Sequence, residues 1–147
     1  MGTMMYRFLD RLPQNLDEHF HFMIGAMRQW TAAARGGRCP CGAVVVGFSW
    51  RGVTAALPDF NEMMALLDTK AARWLRFGMP GAEHVTADEA ALLSMFAAAL
   101  GGEVLAVRRI AATLLADHEA SDAGERMAKA AEWMALRFVQ APLTQRD

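Results

Sequence analysis

Both cysteines of the chain, Cys39 and Cys41, flank one proline inside the stretch Gly36-Gly37-Arg38-Cys39-Pro40-Cys41-Gly42-Ala43. Reactive side chains and a specially shaped backbone coincide here, so any chemistry the chain performs is expected to start here. Pro40 fixes its own φ and drives Cys39 toward extended geometry, which holds the two sulfurs on a constrained loop just past a helix C-terminus. Such a loop can carry a metal, a redox pair, a haem-contacting Cys-Pro, or no chemistry at all. The favoured reading is the last, a tight turn whose cysteines act as small apolar fillers.

Each chemical alternative has a requirement. Two thiolates are half of a tetrahedral zinc site, and Cys-x2-Cys is the more usual spacing, so further ligands must come from His19, His21, His84 or His118. The candidate metal set is Cys39, Cys41, His19 and His21, with zinc or haem as cofactor in this alternative and none in the first. A redox pair needs a low thiolate pKa from a cation or a helix N-terminus. Arg38 supplies a cation, while the negative end of the preceding helix opposes it.

The other polar residues form weaker patterns. Glu18 and His21, three apart, match half of a di-iron bundle signature, but the positions three before His84 and His118 are Gly81 and Leu115. His19 and His21 project about 200° apart on one helix and cannot chelate together. His118, between Asp117 and Glu119, suits a helix C-terminus. No nucleophile elbow, phosphate loop or dinucleotide fingerprint occurs. A non-enzymatic chain is therefore the favoured reading, with an enzyme of unassigned kind left open should a pocket gather converging polar groups, and no catalytic residue is assigned.

The 147 residues are expected to form one domain, and a formal charge of −1 without a clustered basic face argues against nucleic acid. Apolar residues make up 54% of the chain, yet no uncharged run reaches the roughly 18 to 20 residues that cross a bilayer. Met1 to Asp10 lacks the pattern of a secretory signal, so a cytoplasmic protein with reduced thiols and no membrane partner is expected. Eleven Met and four Trp in so small a chain leave apolar surface for a homodimer to cover.

Helical periodicity accounts for most of the elements. Leu16 to Ala34 reads as a first helix, apolar nearly all round and central, with Asn15 as cap and Gly36-Gly37 as stop. Ala43 to Leu57 alternates apolar and polar residues like a β-hairpin, but with no further strand to extend a sheet, helix is preferred. Pro58 and Asp59 open a helix with the stripe Phe60, Met63, Met64, Leu67, Ala71, Trp74 and Leu75, ended by Gly78. Thr86 and Glu89 form a capping box, stabilising its helix by about 1 kcal/mol. Two further helices follow Val104, one ending near Asp117 to Glu119, the other capped by Ser121 and stopped by Pro142.

The expected fold is all-α, a compact antiparallel bundle of five to six helices. A left-handed cap at Gly36-Gly37 reverses the chain, so the segment after Cys41 packs back on Phe20, Met23, Met27 and Trp30. The expected function is non-enzymatic, through protein-protein contacts as a homodimer. The alternatives are a metal- or haem-binding sensor at the Cys-Pro-Cys loop and a bundle that takes an apolar small ligand among its Trp and Met side chains.

Overall fold

The computed structural model describes residues 14–115 and 121–141, with the side chains of 14–17 and 121 left aside. The described chain is all-α. Its helices are α1 (Gln14–Arg35), α2 (Pro40–Arg51), α3 (Leu57–Lys70), α4 (Ala87–Leu100), α5 (Val104–Leu114) and α6 (Ser121–Gln140), with a 3-10 turn at Thr54–Ala56. Among the described residues the one β feature is an isolated antiparallel bridge between Ala71 and Leu115.

The segment with hairpin alternation is helical. Val44 and Phe48 are buried one turn apart on α2, while Val46 and Trp50 face outward. Local start and stop signals outweigh the alternation: Pro40 occupies the first turn, and Gly52 closes the helix with φ 78°, a left-handed value that glycine adopts without strain.

The expected reversal between the first two helices is present. Gly37 has φ 75°, its N–H donates to Ala34 O at 3.3 Å, and Arg38 N–H donates to Ala33 O at 2.8 Å. These are the paired bonds of a Schellman cap, and α2 returns along α1. The ring that meets it is that of Phe22, which is outside the expected set of Phe20, Met23, Met27 and Trp30 and stands 5.0 Å from the ring of Phe48.

Three expectations need correction. The apolar stripe predicts α3 as far as Gly78, but the helix stops at Lys70 and Ala71 is extended. From there the backbone finds tertiary partners in place of helical ones. Ala72 N–H donates to Leu114 O at 2.9 Å, and Arg76 and Gly78 N–H donate to Asp88 and Glu89. Trp74 is exposed under the Arg35 guanidinium, 3.9 Å from its ring centre, while Leu75 is buried. The second correction concerns α5, which ends at Leu114. Asp117, His118, Glu119 and Pro142 lie outside the described residues, as does the side chain of Ser121; the third correction is Asn15, whose backbone lies inside α1 and not before it.

The last helix, α6, packs against α3, α4, α5 and the 3-10 turn; α3 also packs on α1 and α2, and α1 packs on α2, α3 and α4. The core is stitched by phenylalanines. Phe96 lies 6.1 Å from Phe20 and 5.2 Å from Phe138, and Phe48 lies 5.0 Å from Phe60. Offset and edge-on pairs of this kind add about 0.5 to 1.5 kcal/mol each beyond the area they bury.

Candidate functional site

Cys39 is the N-cap of α2 and Pro40 its first residue. This places the thiol pair at the positive end of α2, a position the loop reading assigned to the negative end of the helix before it. The Gly42 N–H donates to Cys39 Sγ at 3.3 Å. Both cysteines are free, Cys39 exposed and Cys41 half-buried. Arg38 donates to Ala32 O at 3.3 Å.

The described histidines sit elsewhere. His19 precedes Arg35 by sixteen residues of continuous helix, about 24 Å of rise, and α2 runs back from the cysteines toward it. What reaches His19 is therefore Arg51, whose Nη2 donates to Nδ1 at 3.3 Å. His19 is buried, edge-on to Phe138 at 5.3 Å, and His21 is exposed. Burial, with the positive charge of Arg51, lowers the His19 pKa against a smaller opposing pull from Glu18. His84 contributes its backbone oxygen to Arg28. The fold thus brings Cys39 and Cys41 together but neither His19 nor His21 to them. Among the described residues, no three His, Cys, Asp or Glu side chains are grouped to hold a metal.

A polar cluster that the sequence reading missed lies at the start of α4. Its first part is the capping box, with Glu89 N–H donating to Thr86 Oγ1 at 3.1 Å and Thr86 N–H donating to Glu89 Oε1 at 3.0 Å. Glu89 also receives Arg28: Nη2 donates to Oε1 and Nε to Oε2, both at 2.9 Å. Gly78 N–H completes Oε2 at 2.8 Å. The remaining Arg28 donors go to Ala82 O at 2.7 Å and His84 O at 2.9 Å. Beside it Asp88 takes the Arg73 guanidinium and Arg76 N–H.

Every oxygen of these two carboxylates is engaged, so neither is open to a substrate proton. Burial alone raises the pKa of Glu89, but Arg28 and the amides of Thr86 and Gly78 outweigh it, and the net direction is down. Asp88 follows the same balance, with Arg73 and the Arg76 amide overcoming its burial. The cluster pins the segment between α3 and α4 to α1. Its legible trace was the capping box alone, because Arg28 lies 61 residues from its partner.

Five of the exposed apolar side chains form two helical rows, while others, Trp74, Met79 and Leu105 among them, stand apart from these rows. Val46 and Trp50 stand one turn apart on the outer face of α2, and Trp50 is 86% exposed. On α6, Trp133, Leu136 and Val139 recur at three-residue steps, opposite the buried Met127, Met134 and Phe138. Phe22 of α1 lies 5.8 Å from Phe138 as well as against Phe48, so one side chain bridges α2 and α6. No family model, curated protein or solved structure matches the chain.

Proposed function

We propose that this chain is a helical interaction protein that works as a homodimer, not an enzyme. The observation that carries the reading is the pair of apolar stripes, Val46 with Trp50 on α2 and Trp133, Leu136 and Val139 on α6. Side chains of this size left in contiguous rows on both helices favour burial against another surface. A two-fold axis lets one such surface cover itself. The saturated Asp88 and Glu89 carboxylates fit the same reading, since both serve packing and neither is poised for proton transfer.

Size-exclusion chromatography with light scattering tests it. The dimer mass is expected for the unaltered chain, and monomers are expected for Trp50→Glu and Leu136→Glu with helical content retained. A strictly monomeric unaltered chain at high micromolar concentration overturns the proposal.

A second reading, a zinc- or haem-binding sensor, is favoured by one observation: both thiols share the start of α2, with Cys39 exposed. With His19 and His21 distant, the remaining ligands would come from groups other than these two, in this chain, in another copy or in another molecule. Elemental analysis of protein purified without chelator, with a visible absorption scan after haem addition, decides it. Absence of both stoichiometric metal and a Soret shift removes it.

A further inference from the structure

A recess of about 280 Å³ opens between the start of α4, one face of α5 and the extended segment after α3. Four alanines, Ala72, Ala87, Ala91 and Ala106, line it, and their short side chains leave space that a leucine or phenylalanine would fill. Ile110 and Leu114 extend the apolar wall. The frame is already fixed. Ala72 N–H is bonded to Leu114 O at 2.9 Å, and Asp88 holds both the Arg73 guanidinium and, at 2.7 Å, the Arg76 N–H. A preformed apolar recess with a few placed polar groups is the usual form of a small-molecule site.

Charge selects the occupant. The charged residues of the lining are Arg73, Asp88 and Arg109. Asp88 and Arg73 neutralise each other through two hydrogen bonds. Arg109 is exposed and, among the described residues, has no ion-pair partner. It shares its face of α5 with Ala106, Ile110 and Thr113 by the three- and four-residue spacing of the helix. Among the described residues, the result is an apolar recess with one uncompensated cation, Arg109, at its edge.

The geometry points to a binding site for a small monocarboxylate with an apolar body. The body occupies the space among Ala91, Ala106 and Ile110, and the carboxylate pairs with Arg109. At roughly 30 Å³ for each liquid-like heavy atom, the recess holds on the order of nine such atoms. Octanoate is of that size. A neutral alcohol of the same length forgoes the ion pair, and the matching ammonium ion is repelled.

Titration of the full chain with sodium octanoate, followed by calorimetry or by backbone amide shifts, tests the site. Saturable binding is expected, with the largest shifts on α5 around Ala106 and Ile110. Arg109→Gln, a substitution at an exposed position, should weaken octanoate by about tenfold or more, the equivalent of one charge-assisted bond. Ala106→Leu should abolish binding by filling the recess, and 1-octanol and octylammonium should bind more weakly than octanoate. Absence of saturable octanoate binding overturns the proposal. So does an unchanged affinity in Arg109→Gln, or octylammonium binding as tightly as octanoate. Should Ala106→Leu not fold, the arginine variant and the ligand series still decide the matter.

Discussion

Arg28 of α1 and Glu89 of α4 meet as a two-pronged ion pair, Nε and Nη2 each 2.9 Å from a separate carboxylate oxygen. Their side chains are 4% and 0% exposed. A buried pair of this kind adds little over a well-packed apolar substitute, but removal of one partner strands the other charge in the interior. Here the consequence spreads, because Glu89 also holds two loop amides and Arg28 two loop carbonyls.

Arg28→Met should therefore destabilise the fold by about 3 to 5 kcal/mol. Glu89→Gln should act in the same direction, since its amide NH2 would face a guanidinium. Urea unfolding followed by circular dichroism measures both, and a midpoint in Arg28→Met equal to that of the unaltered chain contradicts the assignment.

Acid should weaken the protein in two stages. The folded-state pKa of His19 lies below its ordinary 6.5 through burial first and Arg51 second, so protons bind the unfolded chain more readily. Stability is then full above pH 6.5 and declines as pH falls from there toward the folded value. Glu89 and Asp88 are also lowered, from ordinary values of 4.5 and 3.8, so their contribution is present above those values and is lost on further acidification. Melting temperature against pH should show both stages, and His19→Gln should erase the upper one alone.

Gly78 has no room for a side chain. A Cβ there would sit 2.9 Å from Arg28 Nη2 and 3.0 Å from Cζ, and that guanidinium is held by four hydrogen bonds. Gly78→Ala should cost about 1 to 3 kcal/mol by displacing it. Combining it with Arg28→Met should cost less than the sum of the two, a non-additivity read from a double-mutant cycle in urea.

Cys39 caps α2 through sulfur, a weak acceptor. Cys39→Ser puts a better cap in the same place and should raise stability by about 0.5 to 1 kcal/mol. Cys39→Ala, at an exposed position, leaves no cavity and should lose only the weak cap. Thermal melts of the three proteins with and without EDTA check this, and a melt of the unaltered chain that drops on chelation would point to a structural metal.

What the sequence discloses here is what local bonds decide. The start of α4 is legible at Thr86 and Glu89 because both capping bonds span three residues. The reversal at Gly37 is legible for the same reason. Trp74 is different: its spacing from Phe60 and Leu67 is helical, yet the backbone around it is taken by Leu114, Asp88 and Glu89 from other helices. The start of α2 is obscured because cysteine is an uncommon cap, which leaves the alternation after Val44 to suggest strands. Arg28 gives no sign of its partner at all. A pairing across 61 residues leaves no period in the chain.

The placement of α6 bears on how the chain is made. The surface against which α3, α4 and α5 rest is supplied by residues 121–140, which leave the ribosome after those three helices. Until then Phe96 on α4 has Phe20 of α1 beside it but lacks Phe138, and α3 and α5 lack the face of α6 on which they rest. At the usual pace of about 5 to 20 residues per second, that interval lasts on the order of seconds. A nascent chain arrested before Met127 should therefore be captured by chaperones that bind exposed apolar segments, and release should coincide with the emergence of Phe138.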